Sequence, residues 1–241
     1  MEARLAHPIF DSVRPWLNAA RSLDSLNALA AERGLQTESG KPVRFVPPGV
    51  DDLYYEIGVF ESGRVATRPE NLHDWFNALA WLAFPQTKAR INALHARALP
   101  SEPKGRRSPL RDLLTIFDEG GAIVTCDDVE LLELLRSASW VSLFLENRDR
   151  VRQRMKITVF GHAVQEQALD PRPGITCKAI VLPQGDLDAG AARWLAAAPP
   201  GSSPKGLLPV PIFGYPDWYP KQDLAFYEDK RYFRPRSVDT D

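Results

Sequence analysis

Three histidines stand inside apolar segments of helical pattern: His73 and His95 in "HDWFNALAWLAFPQTKARINALH", and His162 in "FGHAVQEQAL". Histidine is the commonest metal ligand and the usual acid–base group near neutral pH. A fourth, His7, lies near the N-terminus, where a mobile segment is expected, and is set aside. Spacing groups other side chains with the three. His73 and Asn77 are four apart and share a helix face, as do Lys88, Asn92 and His95 at i, i+4 and i+7. His162 and Glu166 are also four apart, which lets two side chains of one helix reach a single ion. Asp118 and Glu119 are adjacent carboxylates ahead of Gly120-Gly121. One divalent ion (zinc, manganese or iron) on His73, His95, His162 and Asp118 is the chemistry this set suggests. Glu119 would then act as base on a metal-bound water. Asp74 would orient a histidine, as carboxylates behind metal ligands often do. The plainer alternative is a hydrogen-bonded packing role for each histidine and a solvated turn for the two acids.

Cations gather nearby. Lys88, Arg90, Arg97, Lys104, Arg106, Arg107 and Arg111 face one acid, Glu102, between positions 88 and 111. Asn77, Lys88, Asn92, Arg106 and Arg107 are the expected holders of a small anionic or phosphoester ligand. A helical pair beside basic residues also raises helix-turn-helix DNA binding. The second helix offers little base-reading chemistry beyond Asn92, and the whole chain carries a formal charge of −1, so nucleic acid is not expected. The chain has no GxGxxG, no GxxxxGK and no GxSxG, which argues against dinucleotide, ATPase and serine-hydrolase chemistry.

Length and composition set the frame. The 241 residues suffice for one large domain with a sizeable core, and 44% apolar with 25% charged residues is ordinary for a globular protein. Two cysteines, Cys126 and Cys177, are too few for a disulfide framework and read as reduced core thiols. No apolar run approaches the ~18 residues of a membrane span. The opening "MEARLAHPIFDSVRPW" has no apolar core segment of a signal peptide, so a cytoplasmic location is the expectation.

The elements that must position the candidate residues follow from periodicity. Residues 9 to 33 read as helix, with Asp24 as a cap and Gly34 as a left-handed stop. "LQTESGKPVRFV" gives two short extended pieces around Ser39-Gly40. The alternation of Tyr55, Ile57 and Val59, with a turn at Ser62-Gly63, predicts a hairpin over about residues 53 to 67. Two helices broken at Phe84-Pro85 form a helical hairpin, Thr87 capping the second. "LLTIF", a turn at "DEGG" and "AIVTC" predict a second hairpin, its glycines supplying positive backbone angles. Asp127 with Glu130 fits a capping box opening one long apolar helix, "VELLELLRSASWVSLFLENR". Residues 149 to 169 read either as one buried helix or as a strand over residues 155 to 160 leading into a helix, the single helix being favoured because no turn signal separates the halves; "GITCKAIVL" reads as a strand. After residue 198, proline alternates with tyrosine, phenylalanine and Trp218. Disordered tails are poor in aromatics, so residues 198 to 241 are expected to wrap the surface and anchor by their rings. The sum is an α+β single domain over residues 1 to 241, mainly helical with small antiparallel hairpins.

Four blocks in this order resemble a bacterial domain-of-unknown-function family, number 3025. They are "TRPENLHDWFNALAWLAFPQTKARINALH", "RRSPLRDLLTIFDEGGAIV", "FGHAVQEQAL" with "GITCKAIVL", and "YPDWYP…FYEDKRYFR". The likeness runs over roughly residues 10 to 236. The resemblance implies no catalytic role. It places His73, Asp74, His95, Asp118, Glu119 and His162 in segments of the family's core and makes the C-terminal wrap part of the domain. Two functions are therefore expected from the residues. One is a metal-dependent hydrolase of a small anionic substrate. The other is a non-catalytic binding or interaction protein in which the same set forms a structural hydrogen-bond network.

Overall fold

In the computed structural model, residues 2–49, 54–103, 106–199 and 201–236 are described. Lys104 and position 53 of the expected first hairpin lie outside them. The elements in chain order are α1 (Glu2–Leu5), α2 (Leu23–Glu32), β1 (Arg44–Val46), α3 (Tyr55–Ser62), β2 (Arg64–Ala66), α4 (Leu72–Ala83), α5 (Pro85–Ala98), α6 (Pro109–Gly120), β3 (Gly121–Cys126), α7 (Val129–Arg136), α8 (Arg148–Arg154), β4 (Met155–Val159), α9 (His162–Gln167), β5 (Thr176–Leu182), α10 (Leu187–Ala196), β6 (Leu208–Pro211) and α11 (Leu224–Glu228). The fold is α+β and mainly helical, as expected.

The sheet differs from two isolated hairpins. Its order is β4-β3-β5-β6, with β3 antiparallel to β4 and parallel to β5. Apolar cores cover both faces of β3. Ala122 and Val124 join the larger core, and Ile123 meets Phe117, Phe160 and Ile180 on the other side. A strand buried on both faces reads as a continuous apolar run rather than an alternation.

Both expected hairpins are helix–strand units. The stretch after position 54 forms α3, and Gly63 (φ 74°) is its left-handed stop, after which β2 pairs parallel to β1. The alternation of Tyr55, Ile57 and Val59 was a coincidence of composition, and a glycine helix stop looks like a hairpin turn in one dimension. "LLTIFDEGG" is the end of α6, which runs straight into β3. Gly121 is extended (φ −73°), not left-handed. Its lack of a side chain serves close approach: a Cβ there would lie 2.2 Å from the Phe117 carbonyl oxygen. That carbonyl-side crowding is shared across the junction, because Gly121 O accepts from both Phe160 N (3.0 Å) and Gly161 N (2.8 Å).

Other boundaries shift for local reasons. Residues 9 to 33 are two 3-10 turns and then α2, capped by Ser22 in a reciprocal box with Ser25 rather than by Asp24. Gly34 does take the left-handed conformation (φ 61°). Helix α5 begins at Pro85, so Thr87 lies inside it. The exposed N–H groups of Gln86 and Thr87 are capped by the Asp188 carboxylate of α10, at 3.0 and 2.8 Å. Asp128, not Asp127, caps α7. The long helix expected from 129 stops at Ala138 (φ 55°), resumes as a π-helical turn over Val141–Glu146, and continues as α8. Residues 149 to 169 are not one helix: Met155–Val159 is β4, and only Phe160 and Gly161 separate it from α9.

The C-terminal arm adds β6 to the sheet and buries Trp218, Tyr227, Tyr232 and Phe233. Each buried hydroxyl is satisfied: Tyr232 donates to Ile175 O (2.8 Å) and Tyr227 to Gly214 O (2.9 Å). His7 is held rather than mobile, with one ring nitrogen 2.9 Å from Trp218 O and the other accepting from Ile9 N. Both cysteines are free thiols, Cys177 buried and Cys126 half-buried. Among the described residues no helix is long and apolar enough to cross a membrane.

Gly161 fixes where α9 starts. A Cβ there would meet Gly121 N, Glu119 O and Gly120 C at 2.5–2.7 Å, all backbone atoms that cannot yield. Gly161→Ala should cost about 2–3 kcal/mol, in the range of overpacked cores. Urea unfolding reads this directly, and an unchanged midpoint would refute the proposed crowding.

Candidate functional site

A cavity of about 340 Å³ opens where α3, α4, α5 and the end of α6 meet, with His162 of α9 at one wall. Helix α4 starts on Asn71, whose side chain accepts from Asp74 N (2.9 Å), and buries Phe76, Leu79 and Leu82. That leaves His73 and Asn77 on the cavity side. Helix α9 packs on α4 and brings His162 and Glu166, one turn apart, to His73.

Here three ligand-capable atoms converge. His73 Nε2 and His162 Nε2 are 3.2 Å apart, and a Glu119 carboxylate oxygen lies 3.8 and 3.6 Å from them. His73, Glu119 and His162 can thus each offer one atom to a single point. Donors held about 2.0–2.1 Å from a tetrahedral ion are about 3.3–3.4 Å apart, close to this triangle. Glu166 Oε2 sits 3.0 Å from His73 Nδ1. A carboxylate there places the proton on Nδ1 and leaves the Nε2 lone pair facing His162. His162 Nδ1 has no hydrogen bond of ordinary geometry. Burial, reinforced by the nearby Lys88, holds the His162 ring at a pKa of about 4, so it is neutral and ligand-competent at pH 7.

The expected site residues divide. His73, His162 and Glu119 come together. Glu119 faces the two histidines; burial and then Asp118, against His73, push its carboxyl up. Asp118 turns away to Lys88, whose Nζ lies 2.6 Å from Asp118 Oδ1 and 2.7 Å from Asn77 Oδ1. Burial alone would raise Asp118, but Lys88 beside it holds it below the ordinary carboxylate range. His95 lines the same cavity but is not part of the triangle; its Nδ1 accepts from Arg111 Nε at 3.1 Å. Asp74 orients no histidine. It holds Arg68, taking Nε and NH2 at 2.8 and 2.9 Å and the Arg68 backbone N–H at 2.7 Å. Asn92 donates to the Glu56 carbonyl and carboxylate, both at 2.8 Å.

The basic patch largely dissolves into ion pairs. Arg90 and Arg97 share Glu38, and Arg111 takes Glu102 at 2.6 Å. Arg106 is exposed and outside the cavity lining, whereas Arg107 is in it. Sequence reasoning missed Tyr55, Glu56 and Arg68. Tyr55 and Glu56 were assigned to a hairpin, so the i, i+3 relation of Glu56 to Val59 on one helix was not considered. Burial raises the pKa of Glu56.

The sequence blocks and this geometry meet in one comparison. The family model described as "Protein of unknown function (DUF3025)" matches residues 43–237, which includes every residue lining the cavity. The chain belongs to the DUF3025 family. The matched range begins at residue 43, later than the resemblance starting near residue 10 suggested. No curated protein and no solved structure matches the chain.

Two outcomes test the electrostatics. Lys88→Met leaves the Asp118 carboxylate without its cation, a change that costs about 3–5 kcal/mol when one partner of a buried pair is removed. Pairing it with Asp118→Asn should restore part of that loss in urea melts, and equal stability of the single and double variants would contradict the assignment. Acid adds a second readout. Burial and then Arg111 lower the His95 pKa to about 4 from 6.5, and burial does the same for His162. The unfolded chain therefore takes up these protons first, so stability present above pH 6.5 is lost as pH falls towards 4. Melts of the metal-free protein across that window should show the decline, with a shallower slope in His95→Asn.

Proposed function

We propose that the protein is a metal-dependent hydrolase acting on a small anionic substrate, with one divalent ion held by His73, His162 and Glu119. The observation that supports it most is the convergence of two imidazole nitrogens and a carboxylate oxygen within 3.2–3.8 Å at the wall of a cavity. Two histidines and a carboxylate leave coordination positions open, which is the pattern of catalytic rather than structural sites. An ion so held lowers the pKa of a bound water towards neutrality.

The chain's own residues do the rest. Glu166 fixes the His73 tautomer and ring orientation. Lys88 compensates Asp118, so that the end of α6 can keep two adjacent carboxylates in a half-enclosed space. Asn77 and Tyr55 line the wall across which a substrate enters. Zinc, manganese and iron all accept this donor set. The second function, a binding protein with a structural network, has its own support. His73–Glu166, Lys88–Asp118, Asn92–Glu56 and Arg111–His95 are satisfied among protein atoms alone.

Metal titration separates the two. Protein purified without an affinity tag and stripped with chelator should bind one equivalent of Zn²⁺ or Mn²⁺ by calorimetry. His162→Ala and Glu119→Gln should each weaken binding by about 100-fold, while Asp118→Asn retains the stoichiometry. Less than about a tenth of an equivalent in wild type refutes the metal site, since a tight site saturates. A panel of phosphomonoesters and carboxylic esters with the loaded protein then reads hydrolysis.

A further inference from the structure

His95 and Arg107 share the cavity with the triangle but serve neither the ion nor the Lys88–Asp118 pair. The tautomer of His95 is decided by its partner. Arg111 Nε approaches His95 Nδ1 at 3.1 Å, and a guanidinium can only donate. Nδ1 must therefore be the lone-pair nitrogen, and the proton sits on Nε2. Arg111 is itself locked by Glu102 at 2.6 Å, and Glu102 also accepts from Ser108 N at 2.8 Å. Arg111 donates both ways, through NH1 to Glu102 and through Nε to His95. This leaves a neutral imidazole presenting Nε2–H, for which the described residues supply no acceptor.

Arg107 differs from the other cations of the cavity. Arg68 is matched by both oxygens of Asp74, and Lys88 by Asp118. Among the described residues Arg107 reaches only the Thr115 hydroxyl at 3.3 Å and an Asp112 oxygen at 3.9 Å, and its side chain is 48% exposed. Both Arg107 and His95 line the cavity.

We propose that His95 Nε2–H and the Arg107 guanidinium form an oxyanion-binding subsite that holds a phosphate or carboxylate end of the substrate. A fixed neutral donor and an under-matched planar cation are complementary to an anion with several acceptor oxygens. A cavity of about 340 Å³ then has room for a small molecule with this end on His95 and Arg107 and its reacting bond towards His73, His162 and Glu119. As a substrate assignment this rests on the metal-hydrolase reading; as an anion site it does not.

The test uses the full chain, stripped of metal, and inorganic phosphate as the probe, with acetate in parallel. Calorimetry should show saturable phosphate binding, weakened by about tenfold in Arg107→Met, an exposed change that leaves the core intact. His95→Asn keeps an oxygen where Arg111 donates but has no group at the Nε2 position, and should weaken phosphate by about tenfold. His95→Gln can restore a donor at that position and should recover most of the affinity. Nitrogen-detected imidazole spectra should show His95 protonated on Nε2 only from pH 5 to 8, with Arg111, Arg107, Lys88 and Asp118 the charged groups facing it. Zn²⁺ and phosphate are titrated separately into the stripped wild type, so a missing metal site and a missing anion site give different results. Tighter acetate than phosphate binding assigns the subsite to a carboxylate. Unsaturable binding of both anions, or equal affinity in wild type and Arg107→Met, overturns the proposal.

Discussion

The ion pair between Lys88 and Asp118 holds the rest of the site in place. Helix α6 ends on Asp118 and Glu119, and the C-terminal end of a helix carries partial negative charge. Two carboxylates there, with Asp118 largely buried, work against the macrodipole and incur the cost of burying charge. Lys88, only 5% exposed at its side chain, is the countercharge that makes the arrangement tenable. It also takes the Asn77 carbonyl oxygen, so one ammonium ties α4, α5 and α6 together at one point. With Asp118 neutralised in this way, Glu119 is left to face the histidines.

A second constraint acts through the absence of side chains. Gly121 and Gly161 let the end of α6, the start of β3 and the start of α9 pass within backbone contact of one another. Glu119 and His162 lie one or two residues from those glycines. Their approach is thus set by main-chain packing and main-chain hydrogen bonds rather than by flexible side chains. The cores on the two faces of β3 hold that junction rigid, and the aromatic arm after residue 198 completes the sheet edge through β6.

Much of this was legible in one dimension, and the failures have a common form. The helical hairpin around Phe84-Pro85, the strand at 176–182, the left-handed stop at Gly34 and the aromatic anchoring of the arm all rest on strong local signals, and they stand. The two hairpins failed because glycine was taken as a turn former where the fold uses it as a helix stop (Gly63) or for close approach (Gly121). Over 149–169 the favoured single helix gave way to the alternative, a strand leading into a helix, because β4 is held by pairing with β3, which no local signal shows. The candidate histidines were read as one group, and two of them, His73 and His162, come together while His95 stands apart. Which two converge depends on α9 packing across α4, a contact between positions about ninety apart, and no spacing rule reaches that far. Likewise the cations looked like one patch because their partners, Glu38, Asp118 and Glu102, come from three different segments.

The direct passage from α6 into β3 also governs how this chain can vary in length. Helix and strand share a continuous backbone with no loop between them, and Gly121 O is already committed to two donors from the 160–161 segment. An inserted or deleted residue between Phe117 and Ile123 would rotate both carboxylates off the cavity and shift the register of β3 against β4 and β5 together. The stretch from Leu99 to Ser108 is different. Among its described residues it touches the cavity through the Glu102–Arg111–His95 contacts and Arg107. Length changes there would reshape the cavity rim while leaving the histidine–carboxylate triangle where it is. The fold thus keeps the triangle on the segment least able to change and the rim on one that can.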